Sequence, residues 1–148
     1  MTDTAREPRR NGDARRPRAV TSRVPPHNLE AEESVLGALL LSREAINAVA
    51  ELNLTSADFY KPAHQTIFEA VLDLYNRGEP ADAVTIAARL TAAGDIARVG
   101  GAPYLHTLVS SVPTAANASY YAQIVRERAI LRRLVEAGTR IVQLGYSH

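Results

Sequence analysis

The sequence predicts an all-α protein, a small orthogonal bundle of about five helices followed by one long protruding C-terminal helix. Three observations lead there. No segment alternates apolar and polar residues at period two, as a half-buried strand does. Apolar residues recur instead at helical spacing in short stretches between residues 29 and 112, each bounded by proline, glycine or a capping side chain. From about Ala116 to Tyr146 there is no proline, and only Gly138 and Gly145 interrupt a run of helix formers.

Residues 1–23 hold almost nothing apolar beyond alanine and Val20, so burial cannot offset their ordering entropy, and they are expected to form a disordered basic leader. Val24-Pro25-Pro26 is an extended lead-in. Asn28 caps a helix over 29–41, in which Leu29, Leu36, Leu39 and Leu40 form the apolar face. Glu30, Glu32 and Glu33 in its first turns complement the helix dipole on a solvated face. Gly37 costs about 1 kcal/mol against alanine in mid-helix, which a close helix–helix approach would explain.

Ser42 caps a second helix, 43–52, with Ile46, Val49 and Leu52 on one side. Ser56 starts a short turn carrying Phe59 and Tyr60. The third helix covers about 62–77, with Ile67, Phe68, Val71, Leu72 and Tyr75 inward, and stops at Gly78. Asp82 caps the fourth, 83–93, with Ile86 and Leu90 as an i,i+4 pair, and Gly94 ends it. After Gly100-Gly101, Pro103 suits the first position of a helix carrying Leu105, Leu108, Val109 and Val112, which Pro113 breaks. The domains are therefore the leader (1–23), a helical head (24–113) and the long helix (114–148).

The long helix spans about 45 Å at 1.5 Å per residue. Tyr120, Ile124, Leu131, Leu134, Gly138, Ile141 and Gly145 approximate a seven-residue repeat, widened by Tyr121, Val135 and Val142, with Val125, Ile130 and Leu144 on other faces. A helix apolar on several sides overhangs a body some 30 Å across (radius of gyration about 13 Å for ~100 residues). Either partners cover it, or it folds back onto the body as an ordinary core helix.

The chain has 148 residues and 46% of them are hydrophobic, enough to bury a core. It has no cysteine, which excludes disulfides, thiolate metal sites and a cysteine nucleophile. The longest apolar run, Val35 to Leu41, is far short of the ~20 residues that span a bilayer, and no secretory signal is visible, so a cytoplasmic protein is expected. The net charge of +1 hides an asymmetry. Residues 1–23 carry seven arginines against three acids, whereas 24–148 carry ten basic and thirteen acidic residues.

No G-x-x-x-x-G-K-[ST] loop exists, and Gly100-Gly101 follows no strand, so neither a P-loop nor a dinucleotide fingerprint is present. His27, His64, His106 and His148 make no metal-ligand spacing on one helix face, and His64 reads as a packing or helix-surface hydrogen-bonding residue. No elbow or base accompanies Ser42, Ser110 or Ser111. These residues support no catalytic, cofactor or metal site. A helix-turn-helix over 83–112 has only Arg89 and Arg98 to anchor phosphates. The 96–105 Gly-Gly loop, together with the Arg-rich leader, is the alternative reading: a freestanding helical nucleic-acid-binding module.

Several runs carry a resemblance. They are Val24-Pro25-Pro26-His27-Asn28-Leu29-Glu30-Ala31-Glu32-Glu33-Ser34-Val35-Leu36-Gly37, Asp58-Phe59-Tyr60 with His64, Ile67 and Phe68, and Arg77-Gly78-Glu79-Pro80 with Asp82, Val84 and Thr85. Further on come Gly100-Gly101 with Tyr104-Leu105, Val112-Pro113-Thr114-Ala115-Ala116-Asn117, and Tyr120-Tyr121-Ala122-Gln123-Ile124-Val125-Arg126-Glu127. In order and spacing, over about 24–146, they resemble the N-terminal domain of the DnaB-type replicative DNA helicase family.

The resemblance implies a ring-shaped hexameric ATPase that unwinds duplex DNA at bacterial replication forks. Its RecA-like motor, which binds ATP and Mg, lies outside this segment. The implied N-terminal domain is a helical head with a helical hairpin, pairing into a trimer-of-dimers collar on which primase docks, with a helicase loader as a further partner. DNA contact belongs to the whole hexamer. This chain corresponds to the head and first hairpin helix, without catalysis of its own. The candidate partner-binding residues are Tyr104, Leu131, Leu134, Val135, Ile141 and Val142, and the resemblance also implies that Arg126 and Glu127 orient the hairpin.

Overall fold

Residues 23–147 are described by a computed structural model, and among them are six α-helices, two 3-10 turns and no strand. Local chemistry sets most boundaries. The Asn28 side-chain oxygen accepts from the Ala31 N–H at 2.9 Å and starts α1 (Leu29–Leu41). Ser42, a single extended residue, ends α1 by donating its N–H to the Ala38 carbonyl and starts α2 (Arg43–Glu51) by accepting from the Ala45 N–H. A 3-10 turn (Ser56–Asp58) leads into α3 (Pro62–Asn76), which has proline in its first turn. Asp82 and Thr85 cap each other reciprocally at 2.9 Å to open α4 (Ala83–Ala92).

Helix α5 spans Gly101–Ser111. Pro103 is thus inside its first turn, not its first residue. The left-handed Gly100 (φ +111°) and Gly101 (φ +81°) turn the chain tightly enough for the helix to begin two residues earlier. A second 3-10 turn (Ala115–Asn117) precedes α6 (Ala118–Tyr146).

Helix α1 is the axis of the bundle and packs against α2, α3, α5 and α6. Nine of its thirteen residues are buried, so it is enclosed on all sides rather than amphipathic, as a central helix must be. Leu29, expected on its apolar face, is exposed at the end of the bundle. Gly37 makes the close approach its position implies, lying directly against the backbone of Leu108 on α5. On α3, Ile67, Phe68 and Val71 are buried as expected. Leu74 takes the inward place expected for Leu72, which with Tyr75 is only half-buried.

Helix α6 departs most from its sequence pattern. Its buried residues are Ala118, Ala122, Val125 and Ala129, which face α1, α2 and the first 3-10 turn. Of the large residues of the seven-residue repeat, Tyr120, Leu131, Leu134 and Ile141 are uncovered and Ile124 is half-buried against the core, while Val125, expected off the main face, is in the core. Beyond Ala129 no described residue of α6 is buried, and about 25 Å of helix, at 1.5 Å per residue, extends as an arm joined to the head near its base by Arg132 and Arg133. No helix among the described residues is long and apolar enough to cross a membrane.

Candidate protein interaction surface

The arm is helical because its residues are good helix formers, and it is apolar on a face the head does not reach. Leu131, Leu134, Val135, Ile141 and Val142 all lie on it and are exposed, with Leu134 at 67% and Ile141 at 68%. Ile130, Leu144 and Tyr146 extend the apolar surface. Large apolar patches left exposed on a folded protein are commonly interaction sites. Val135, Gly138, Thr139 and Val142, spaced i, i+3, i+4, i+7, also form one wall of a cleft of about 650 Å³. The lead-in residues Arg23 to Pro26 line the same cleft.

Five of the six residues expected to bind partners therefore share the arm, but Tyr104 does not join them. Its hydroxyl hydrogen-bonds His64 Nε2 at 2.6 Å, its ring lies parallel to the His64 imidazole with the centroids 6.0 Å apart, and Lys61 Nζ lies 4.8 Å from the ring centroid. These partners belong to α3 and its N-cap. Burial first, and then the negative charges of Glu33 and Glu32, push the Tyr104 phenol up to about 12.

Behind Tyr104 lies a chain of buried polar groups that the sequence did not disclose. Glu32 is 1% exposed, not solvated, and its Oε1 accepts from His64 Nδ1 at 2.7 Å. Its other oxygen accepts the Tyr60 N–H at 2.6 Å, and Oε1 also faces the Lys61 N–H at 3.4 Å. A carboxylate only accepts, so Nδ1 carries the hydrogen, and an Nε2 that carries none receives the Tyr104 O–H. This arrangement satisfies every member and joins α1, α3 and α5. It has the residue types of a proton relay, but His64 is 0% exposed, so no substrate atom can reach the imidazole. His64 is thus a core residue with two specific partners.

Among the described residues no group of three His, Asp or Glu side chains could hold a metal. The cations near the 96–105 loop are engaged: Arg98 pairs with Asp95 at 2.6 Å and Arg89 with Asp73 at 2.6 Å. Of the leader, residues 1–22 lie outside the described residues, and with them its expected disorder. Arg126 donates to the Leu52 carbonyl at the end of α2, tying α6 to the head, while Glu127 is exposed.

Comparison with known proteins places these features. The model of the DnaB-like helicase N terminal domain family matches residues 24–127. The replicative DNA helicase DnaB of Mycobacterium leprae is 64% identical over 135 residues, covering 91% of this chain and 22% of that protein. The replicative DNA helicase DnaB of Leifsonia xyli is 54% identical over 138 residues, covering 93% of this chain and 29% of that protein. The chain thus spans less than a third of the length of these relatives. The crystal structure of the N-terminal domain of DnaB helicase from Mycobacterium tuberculosis superposes with a TM-score of 0.82 at 65% identity, covering 84% of this chain and 90% of that one. A structure of a DnaB-like replicative helicase and its interactions with primase gives a TM-score of 0.70 at 29% identity, covering 82% of this chain and 28% of that one.

Proposed function

The chain belongs to the DnaB-like helicase N-terminal domain family, and from that premise we propose that it is the interaction domain of a bacterial replicative DNA helicase. The head (24–113) is a rigid mount, and the long helix (114–148) is the docking element. Its work is assembly with further copies of itself into a collar and recruitment of primase, without catalysis of its own. ATP hydrolysis and DNA unwinding belong to a motor domain elsewhere in such a helicase.

One observation carries this reading, the exposed apolar face of the arm, on which Leu134 and Ile141 are each about two-thirds exposed. Apolar burial there would supply affinity, dominated by a few anchors. The primase assignment is supported by the relative whose structure concerns its interactions with primase. The polar anchoring of Tyr104 favours a positioning role for it over direct docking.

Light scattering on a sizing column, with and without a primase C-terminal domain, tests the proposal. Mass above that of a monomer, rising with concentration, and co-elution of primase are expected. A chain that stays monomeric at high concentration and never retains primase removes the reading.

A further inference from the structure

The buried face of α6 is built from small side chains, with Val125 the largest. Alanine permits close approach but offers only shallow ridges, and ridges seated in grooves are what fix a crossing angle. The direction of the arm therefore needs a second constraint, which sits where the buried part of α6 gives way to the arm.

There Arg132 donates from Nη1 to the Pro26 carbonyl at 2.8 Å and from Nη2 to the Asp58 carbonyl at 2.7 Å. Its guanidinium lies 5.6 Å from the centroid of the Tyr60 ring, which stacks on His27 at 4.2 Å. Arg133 pairs with the buried Asp58 carboxylate, whose other oxygen holds the Thr55 N–H at 2.9 Å. One planar fork thus joins the lead-in, the first 3-10 turn and α6. Hydrogen bonds from a charged donor are strong and directional, and a guanidinium holds its donors in a fixed plane.

We propose that Arg132 is the positioning residue that aims the arm, by bracketing Pro26 and Asp58 against α6. The inference rests on the reading of the arm as an interaction surface. It adds that, beside the Arg126 and Arg133 contacts, the fork of Arg132 fixes the arm's direction, and that displacement of the lead-in at Pro26 is transmitted to the arm.

The chain has no cysteine, so Val84→Cys on α4 and Gln143→Cys on the arm are unique sites for nitroxide labels. Pulsed electron spin resonance on labelled chain, diluted in unlabelled chain, reads the intramolecular distance. Crossing angles scatter by about 15–20° among similar packings. A swing of about 15° on an arm of roughly 21 Å moves its tip by about 5 Å.

The expected result is one narrow distribution for the parent chain. In Arg132→Ala it shifts or broadens by about 4 Å, the same swing read at residue 143, roughly 16 Å along the arm, with helical circular dichroism unchanged. Arg132→Lys, which keeps the charge but replaces the planar two-nitrogen fork by a single rotatable ammonium, behaves the same way and carries the test should the alanine variant fold poorly. A parent-like distribution in either variant overturns the proposal. A released arm in a chain that neither self-associates nor retains primase would leave this inference standing and remove the proposed function.

Discussion

Gly37 of α1 packs on the main chain of Leu108 of α5: a Cβ at position 37 would lie 2.1 Å from the Leu108 carbonyl oxygen and 3.2 Å from the Val112 Cβ. The obstructing atom is backbone, so α1 and α5 must separate to admit a methyl group. Gly37→Ala gains about 1 kcal/mol of helix propensity but incurs overpacking of about 1–3 kcal/mol or more. We expect a net loss of stability in urea denaturation. A variant as stable as the parent would show that parting the two helices costs no more than the helix propensity gained.

The Glu32–His64–Tyr104 chain predicts graded losses. Tyr104→Phe leaves a buried imidazole nitrogen without its donor and should cost about 1–3 kcal/mol. His64→Ala uncovers a buried carboxylate and leaves a cavity, so its cost should exceed that of Tyr104→Phe. In the His64→Ala background, Tyr104→Phe should cost much less than alone, because the two act as a unit. Simple additivity in this double-mutant cycle would contradict the network.

Two groups tie stability to pH with opposite signs. Tyr104 holds its proton more tightly folded than unfolded, so its contribution is complete below about pH 10 and is lost as pH rises toward about 12. The Asp82 carboxylate is held below its ordinary value of 3.8, chiefly by the Thr85 N–H. Its contribution is complete above that value and is lost as pH falls through the folded-state value. Tyr104→Phe should flatten only the alkaline limb of a stability–pH curve and Asp82→Ala only the acid limb, the latter costing about 1 kcal/mol near neutrality. An unchanged alkaline limb in Tyr104→Phe would mean that the phenol is not shifted.

Charge on the arm should separate association from folding. Leu134→Arg and Ile141→Arg replace side chains that touch little, so unfolding free energies should move by no more than about 0.5 kcal/mol. Self-association and primase retention should each weaken at least about tenfold, equivalent to 1.4 kcal/mol. Parent-like association in both variants would place the interface elsewhere.

Residues 23–147 follow their sequence closely wherever the deciding contacts are local. Asn28, Ser42 and Asp82 sit within three residues of the N–H groups they cap, Gly78 and Gly94 adopt the left-handed geometry that ends a helix, and proline-free chain continues as one helix to Tyr146. The exposed apolar face of the arm was legible too, as more large side chains than one body could shelter.

Tertiary structure decided what lies between elements distant in sequence. Periodicity reads the faces of one helix but not which face a neighbour will cover. Glu32 therefore read as a solvated acid until α3 and α5 brought His64 and Tyr104 to it. Ala118, Ala122 and Ala129 of α6 stood outside the apolar repeat, and only the approach of the head made them its buried face. Arg132 bonds a carbonyl 106 residues away, and a main-chain acceptor leaves no mark in residue type. Turns and caps are written in neighbouring residues. Burial and aim depend on long-range packing, which a single chain pattern records only as space left to be filled.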